Sequence, residues 1–183
     1  MPPDVTIFAA QHLTYVDALL GAAVCAALLW NRHHAAQLCW VITSTLMVGF
    51  AFTFSRLGSS LYDDPRPFVL RHFTPLLPHT ANNGFPPGHA VLAAVILSAV
   101  LFLSRRWAVP FVILAFLVDW ARIGVGLVHV IDIAGAWFFV ILATLASWLV
   151  GPTITAVMLT RLPRAWSSGR FRIGRVWQVS DPV

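Results

Sequence analysis

The chain has 183 residues, of which 58% are hydrophobic and only 10% charged. A soluble domain carries roughly 25% charged residues, so the composition excludes an ordinary water-soluble fold and implies an integral membrane protein. The net charge of +5 comes from twelve Arg against seven Asp, with no Lys and no Glu.

A pI near 10.6 invites a nucleic-acid reading, but the Arg residues are dispersed among apolar segments and line no soluble face. Membrane topology accounts for them more simply, and no nucleic-acid partner is expected. Cys25 and Cys39 both fall in apolar runs and suggest no disulfide framework. Met1–Gln11 is neither basic nor followed by a small-residue cleavage site, so no cleavable leader is expected.

A spanning helix needs about 20 mostly apolar residues. In chain order, Val5–Leu13 is too short to span and reads as a short N-terminal interfacial helix. Five spans follow: Tyr15–Trp30, Leu38–Phe54, His89–Leu103, Trp107–Ala121 and Ala134–Met158. Gly151-Pro152 should kink or end the last one. The expected fold is therefore an all-α polytopic bundle of about five transmembrane helices. Residues 1–160 form the membrane domain and residues 161–183 a basic tail.

Arg placement orients the bundle. With five spans, Arg32, Arg105, Arg106 and the tail Arg residues (161, 164, 170, 172 and 175) share one side, and Arg56, Arg66, Arg71 and Arg122 share the other. The positive-inside rule makes the first side cytoplasmic. In the tail, Trp166 and Trp177 interleave with Arg, a pattern suited to anionic headgroups.

Three polar clusters emerge at the other face: "LYDDPRPFVLRH" with Arg66, "FPPGHA" with Gly88 and His89, and "ARIGVGLVHVIDIAGA" with Arg122, His129 and Asp132. Charged groups in or near a bilayer cost a few kcal/mol each and are functional candidates by default. Guanidinium forks suit phosphate. Imidazoles attack phosphorus or protonate a leaving oxygen, and an Asp can fix an imidazole tautomer. No cluster has convincing metal-ligand spacing. Each group also has a plain structural reading. Arg122 can pair with Asp119 one turn earlier, Asp132 can cap the last helix, and Asp63 and Asp64 read as solvated turn residues. His33 and His34 read as loop residues on the far side, while His72 and His79 lie in the right loop but fit no motif.

Taken together and in order, these motifs resemble the type 2 phosphatidic acid phosphatase superfamily, and most of all its bacterial undecaprenyl-diphosphatase-like branch. The likeness runs from about Leu13 to Ala156, and the family pattern is K-x6-R-P, P-S-G-H and S-R-x5-H-x3-D. The resemblance implies a metal-independent phosphatase working through a phosphohistidine, with no cofactor. Arg66, Arg122 and Gly88 would hold phosphate, His89 would protonate the leaving group, and His129 would be the nucleophile oriented by Asp132. It also implies a phosphorylated lipid substrate at the outer face of a bacterial inner membrane, with undecaprenyl diphosphate preferred. Phosphatidic acid and phosphatidylglycerophosphate are the alternative substrates. Complex partners or self-association are compatible with such a protein.

The chain departs from that pattern at Ser59, Pro87, Ala121 and Val128. Ser59 stands in place of Lys, and Arg56 or Arg71 is the candidate replacement charge. Val128 stands where the pattern has His, and His129 comes one residue late. A one-residue step on a regular helix turns a side chain about 100°, and a misplacement near 1 Å can cost about 100-fold in rate. The departures support a second reading, a catalytically degenerate member that binds lipid or serves as a structural subunit.

Overall fold

In the computed structural model, residues 3–161 are described, and the basic tail lies outside them. They form α1 (Pro3–Trp30), α2 (His34–Leu61), a single turn α3 (Pro67–Leu70), α4 (Gly88–Leu101), α5 (Arg105–Gly124) and α6 (Val130–Arg161). Helices α1, α2, α5 and α6 are long and apolar enough to cross a membrane, and α4 is a shorter apolar helix of 14 residues. The polytopic helical bundle expected from hydropathy is therefore the fold.

One detail differs from expectation. The segment Val5–Leu13 is not a separate interfacial helix but the first turns of α1, which runs unbroken for 28 residues. No Pro or Gly interrupts it before Gly21, and Ala10 is buried in the core with Ala90, Ala121 and Val128. Burial of that face holds the segment in the bundle. Of the two outcomes expected at Gly151-Pro152, a kink or an end, the helix does not take the second: α6 continues to Arg161 with Pro152 inside it. Gly151 lies directly on Thr43 of α2, so close packing against α2 carries the helix past the proline.

Helices α2 and α6 pack most closely. Gly58 sits under the ring of Phe139, and Thr144 Oγ1 stands 3.5 Å from Met47 Sδ and 3.1 Å from Ser98 Oγ of α4. Trp137 of α6 touches all four hydrophobic clusters of the core. It stacks on Phe116 with centroids 5.6 Å apart, and its Nε1–H donates to Asp119 Oδ2 at 2.8 Å. That bond occupies one oxygen of a carboxylate which the sequence offered to Arg122, and no Arg122–Asp119 ion pair forms among the described residues. At one end of the bundle, Trp40 Nε1–H donates to the Ala99 carbonyl at 2.9 Å and ties α2 to α4. The long 62–87 connection and the short α5–α6 turn come together at the opposite end, where the candidate site lies.

Candidate active site

The α5–α6 turn is tight. Gly126 adopts φ +76°, and a Cβ there would collide with the Phe73 ring, so only glycine fits comfortably. The turn buries Leu127 and Val128 and leaves His129 half-exposed at the head of α6. The His129 backbone N–H donates to Asp132 Oδ2 at 2.8 Å. This is the back-reaching half of a capping box, in which the third helical residue satisfies the amide of the cap position. Asp132 thus caps α6 from inside its first turn, not from the cap position.

With Asp132 Oδ2 bonded to the backbone, the His129 ring finds another carboxylate. Its Nδ1 lies 2.9 Å from Asp64 Oδ2 and 3.7 Å from Asp132 Oδ2, so the hydrogen bond is to Asp64. Sequence reasoning passed over Asp64 as a solvated turn residue, because it matches no motif; Asp63 beside it is indeed exposed. The usable signal was local: an acid directly before a Pro-Arg-Pro, where the stiff backbone limits how far it can stray.

Asn83 positions Asp64. Its Oδ1 accepts from the backbone N–H groups of Asp64 (3.1 Å) and Phe85 (2.8 Å). Its Nδ2 donates to Ser59 and Tyr62 carbonyls at 3.2 and 3.1 Å. The neighbouring Gly84 N–H donates to the Asp64 carbonyl at 2.9 Å, and Pro65 bridges Asn83 in antiparallel fashion. One amide side chain therefore joins the end of α2, the 62–66 strand-like segment and the loop leading into α4. Gly84 lies so close that a Cβ would stand 3.1 Å from the Asp64 carbonyl and 3.4 Å from Asp132 Oδ2.

Arg66 is buried, at 7% exposure. Its Nε–H donates to Asn82 Oδ1 and one terminal N–H to the Leu127 carbonyl, both at 2.9 Å. These bonds aim the guanidinium and leave its other terminal nitrogen for a ligand. Burial lowers the Arg66 pKa from its ordinary value, and the Asp132 carboxylate works against that shift. Arg122 acts on Arg66 electrostatically, and its own Nε is buried without a partner. His89, in the first turn of α4, lies within electrostatic reach of Arg122 and Arg66, and its Nε2 is buried and unpartnered. Gly88 opens α4, where first-turn amides lack intrahelical partners.

The structure thus gathers Arg66, Arg122, His89, His129 and Asp132 at one end of the bundle, and adds Asp64 and His79 to them. His79, which fits no motif, arrives through the 71–87 loop. The ring is exposed, but partial desolvation lowers its pKa, with Arg66 and Arg122 acting in the same direction and its hydrogen bond to the Thr80 carbonyl against it. Val128, at the position where the family pattern has His, is 2% exposed in the apolar core and takes no part.

The ligand atoms of Asp64, His129 and Asp132 lie within 4.8 Å of one another, a donor set able to hold a divalent cation. Against that use, His129 Nδ1 is bonded to Asp64, the His129 amide is bonded to Asp132, and the Arg66 guanidinium lies within electrostatic reach of Asp132. The chemistry of the cluster is that of an imidazole held by a carboxylate. Because a carboxylate only accepts, the proton of a neutral His129 ring belongs on Nδ1 and the Nε2 lone pair is free.

An all-helical bundle with four helices long and apolar enough to cross a membrane thus carries a His–carboxylate pair, with Arg66, Arg122 and His89 at the same end. Two curated proteins align with it. Undecaprenyl-diphosphatase BcrC of Bacillus subtilis (strain 168) is 38% identical over 76 residues, covering 42% of this chain and 39% of that protein. The Escherichia coli (strain K12) protein named "Putative undecaprenyl-diphosphatase YbjG" is 25% identical over 164 residues, 89% of this chain and 80% of that protein. No protein-family model matches, and no solved structure does. The chain is a partial and distant relative of these undecaprenyl-diphosphatase-like phosphatases.

Proposed function

We propose that the protein is a lipid diphosphatase of a bacterial inner membrane, with its site facing the exterior and its basic tail cytoplasmic. In this reading it hydrolyses undecaprenyl diphosphate to the monophosphate and inorganic phosphate. Arg66 and Arg122 neutralise charge on the non-bridging oxygens of the terminal phosphate. His129 Nε2 attacks phosphorus as the bridging P–O bond breaks, and His89 donates a proton to the departing lipid phosphate. Water then cleaves the phosphohistidine, releasing phosphate and restoring the imidazole. No step calls on a metal.

The observation that carries the reading is the 2.9 Å His129–Asp64 hydrogen bond. It gives the displaced histidine an orienting acid although Asp132 is engaged by the backbone. The test is phosphate release by purified protein from undecaprenyl diphosphate and phosphatidic acid, with His129→Ala and His89→Ala for comparison. Loss of release in both variants supports the reading; release by His129→Ala equal to that of the parent overturns the nucleophile.

The second reading, a lipid-binding member without turnover, draws support from the burial of Val128 and from the structural bonds that occupy Arg66. Absence of release from any lipid, together with retained binding, would favour it.

A further inference from the structure

Beside the candidate site, α2 and α4 part to leave a cavity of about 440 Å³, within the size range of ligand pockets. Its walls are apolar along most of their length, with Val48 and Phe52 from α2 facing Leu92 and Val95 from α4. Three polar residues of α2 also line it, Ser55, Arg56 and Ser59, at its end nearer the site.

Arg56 is exposed on a helix long and apolar enough to span a bilayer. Among the described residues no carboxylate pairs with it, and its guanidinium lies over the Phe52 ring at 5.1 Å. Ser55 Oγ is buried and has no hydrogen-bond partner. A lone cation and an unsatisfied hydroxyl in an apolar groove are costly arrangements, and an anionic group on an apolar chain relieves both. The groove also ends where the site begins. Asn83 and Gly88 line it, yet Asn83 holds Asp64 and Gly88 immediately precedes His89.

We propose that this groove binds the lipid-side phosphate of a lipid diphosphate, held by Arg56 and Ser55, with the first part of the apolar chain lying between α2 and α4. The inference rests on the lipid-diphosphatase reading. It makes Arg56 the residue that distinguishes a diphosphate from a monophosphate, because only a diphosphate reaches Arg56 while its terminal phosphate sits between Arg66 and Arg122. Arg56 thereby supplies a positive charge one turn before Ser59.

Binding in the absence of turnover tests this separately from catalysis. In a His129→Ala background, the affinity for farnesyl diphosphate and farnesyl monophosphate is measured in detergent micelles, with and without Arg56→Gln. The expected result is a diphosphate affinity at least 10-fold weaker in Arg56→Gln, with a loss for the monophosphate of under threefold. Arg71→Gln, on the exposed loop, should change neither. Leu92→Trp, at an exposed position of the groove wall, should weaken both ligands while thermal unfolding reports that the bundle stays folded. Equal losses for the two ligands in Arg56→Gln, or none, would overturn the assignment. So would displacement of neither ligand by Leu92→Trp, which would leave Arg56 to ordinary phospholipid headgroups. If the ligands bind as expected but the parent hydrolyses no lipid, the groove stands and the diphosphatase reading fails.

Discussion

His129 hydrogen-bonds a carboxylate 65 residues upstream, Asp64, and not Asp132, the acid three residues downstream that was expected to orient its ring. The 2.9 Å contact to Asp64 and the 3.7 Å separation from Asp132 divide two duties between two acids: Asp64 addresses the imidazole, and Asp132 addresses the backbone that carries it. Asp64→Asn is therefore expected to lower kcat by about 100-fold or more, since the amide can present its N–H and favour the wrong tautomer. KM should change little. Phosphate-release kinetics on undecaprenyl diphosphate check this; a kcat within threefold of the parent would rule out an orienting role.

Asp132→Asn should behave differently. It loses a charged acceptor from the first turn of α6, which costs about 1 kcal/mol of helix capping, and it removes the negative charge beside Arg66. Both thermal stability and activity should fall, whereas Asp64→Asn should leave stability nearly unchanged. Paired melting curves of the two variants in one detergent distinguish them.

Arg66→Lys is not a conservative change here. The guanidinium reaches Asn82 Oδ1 and the Leu127 carbonyl together, while an ammonium offers a single point of contact. The variant should lose activity at least 100-fold, and the unsatisfied buried carbonyl should cost about 1–3 kcal/mol in stability. Activity within 10-fold of the parent would show that the fork is dispensable.

Asn83→Ala removes the acceptor for two backbone amides and the donor to the end of α2. Proteolysis of the 62–87 connection should accelerate, and activity should fall without damage to the rest of the bundle. Gly84→Ala makes a finer version of the same test, because its methyl presses on Asp132 and the Asp64 carbonyl. It should reduce kcat more than it reduces the melting temperature.

His79 gives a pH signature. The ring is exposed, yet partial desolvation together with the Arg66 and Arg122 charges holds its pKa below the ordinary value of 6.5, against the hydrogen bond to the Thr80 carbonyl, so the unfolded chain binds the proton more readily than the folded one. Its contribution to stability is whole above pH 6.5 and is lost as pH falls from there towards the folded pKa. His79→Gln should lack that portion of the acid sensitivity; identical pH–stability profiles for variant and parent would refute it. EDTA should leave phosphate release unchanged at every pH. A loss restored by a divalent cation would instead assign the Asp64–His129–Asp132 cluster to a metal.

The bundle was legible because hydropathy is a collective signal. Some 20 apolar residues in a row leave few choices in a bilayer, and the last three spans came through within four residues, although α1 starts twelve residues before its expected span and α2 runs seven beyond. The start of α1 was not, since whether an apolar stretch lies flat or stands upright depends on what Ala10 packs against. Arg66, His89 and Arg122 stood out because Pro, Gly and charge interrupt greasy runs near them. Asp64 did not, because its importance comes from a partner 65 residues away and from an Asn whose bonds have no sequence pattern. His79 escaped for the same reason: a loop's path decides its neighbours.

The Trp40–Ala99 hydrogen bond has a mechanical consequence. It fastens α2 to α4 at the end remote from the site, while α2 is locked along its length to α6 through Gly58 and Gly151. A close-packed pair of this kind resists sliding, and α4 is held just as firmly on its other sides by α1, α5 and α6. The gap between α2 and α4 is therefore a slot with two stiff walls, pinned shut at the indole and widest towards Arg56 and Gly88, so its bore is set by the bundle as a whole.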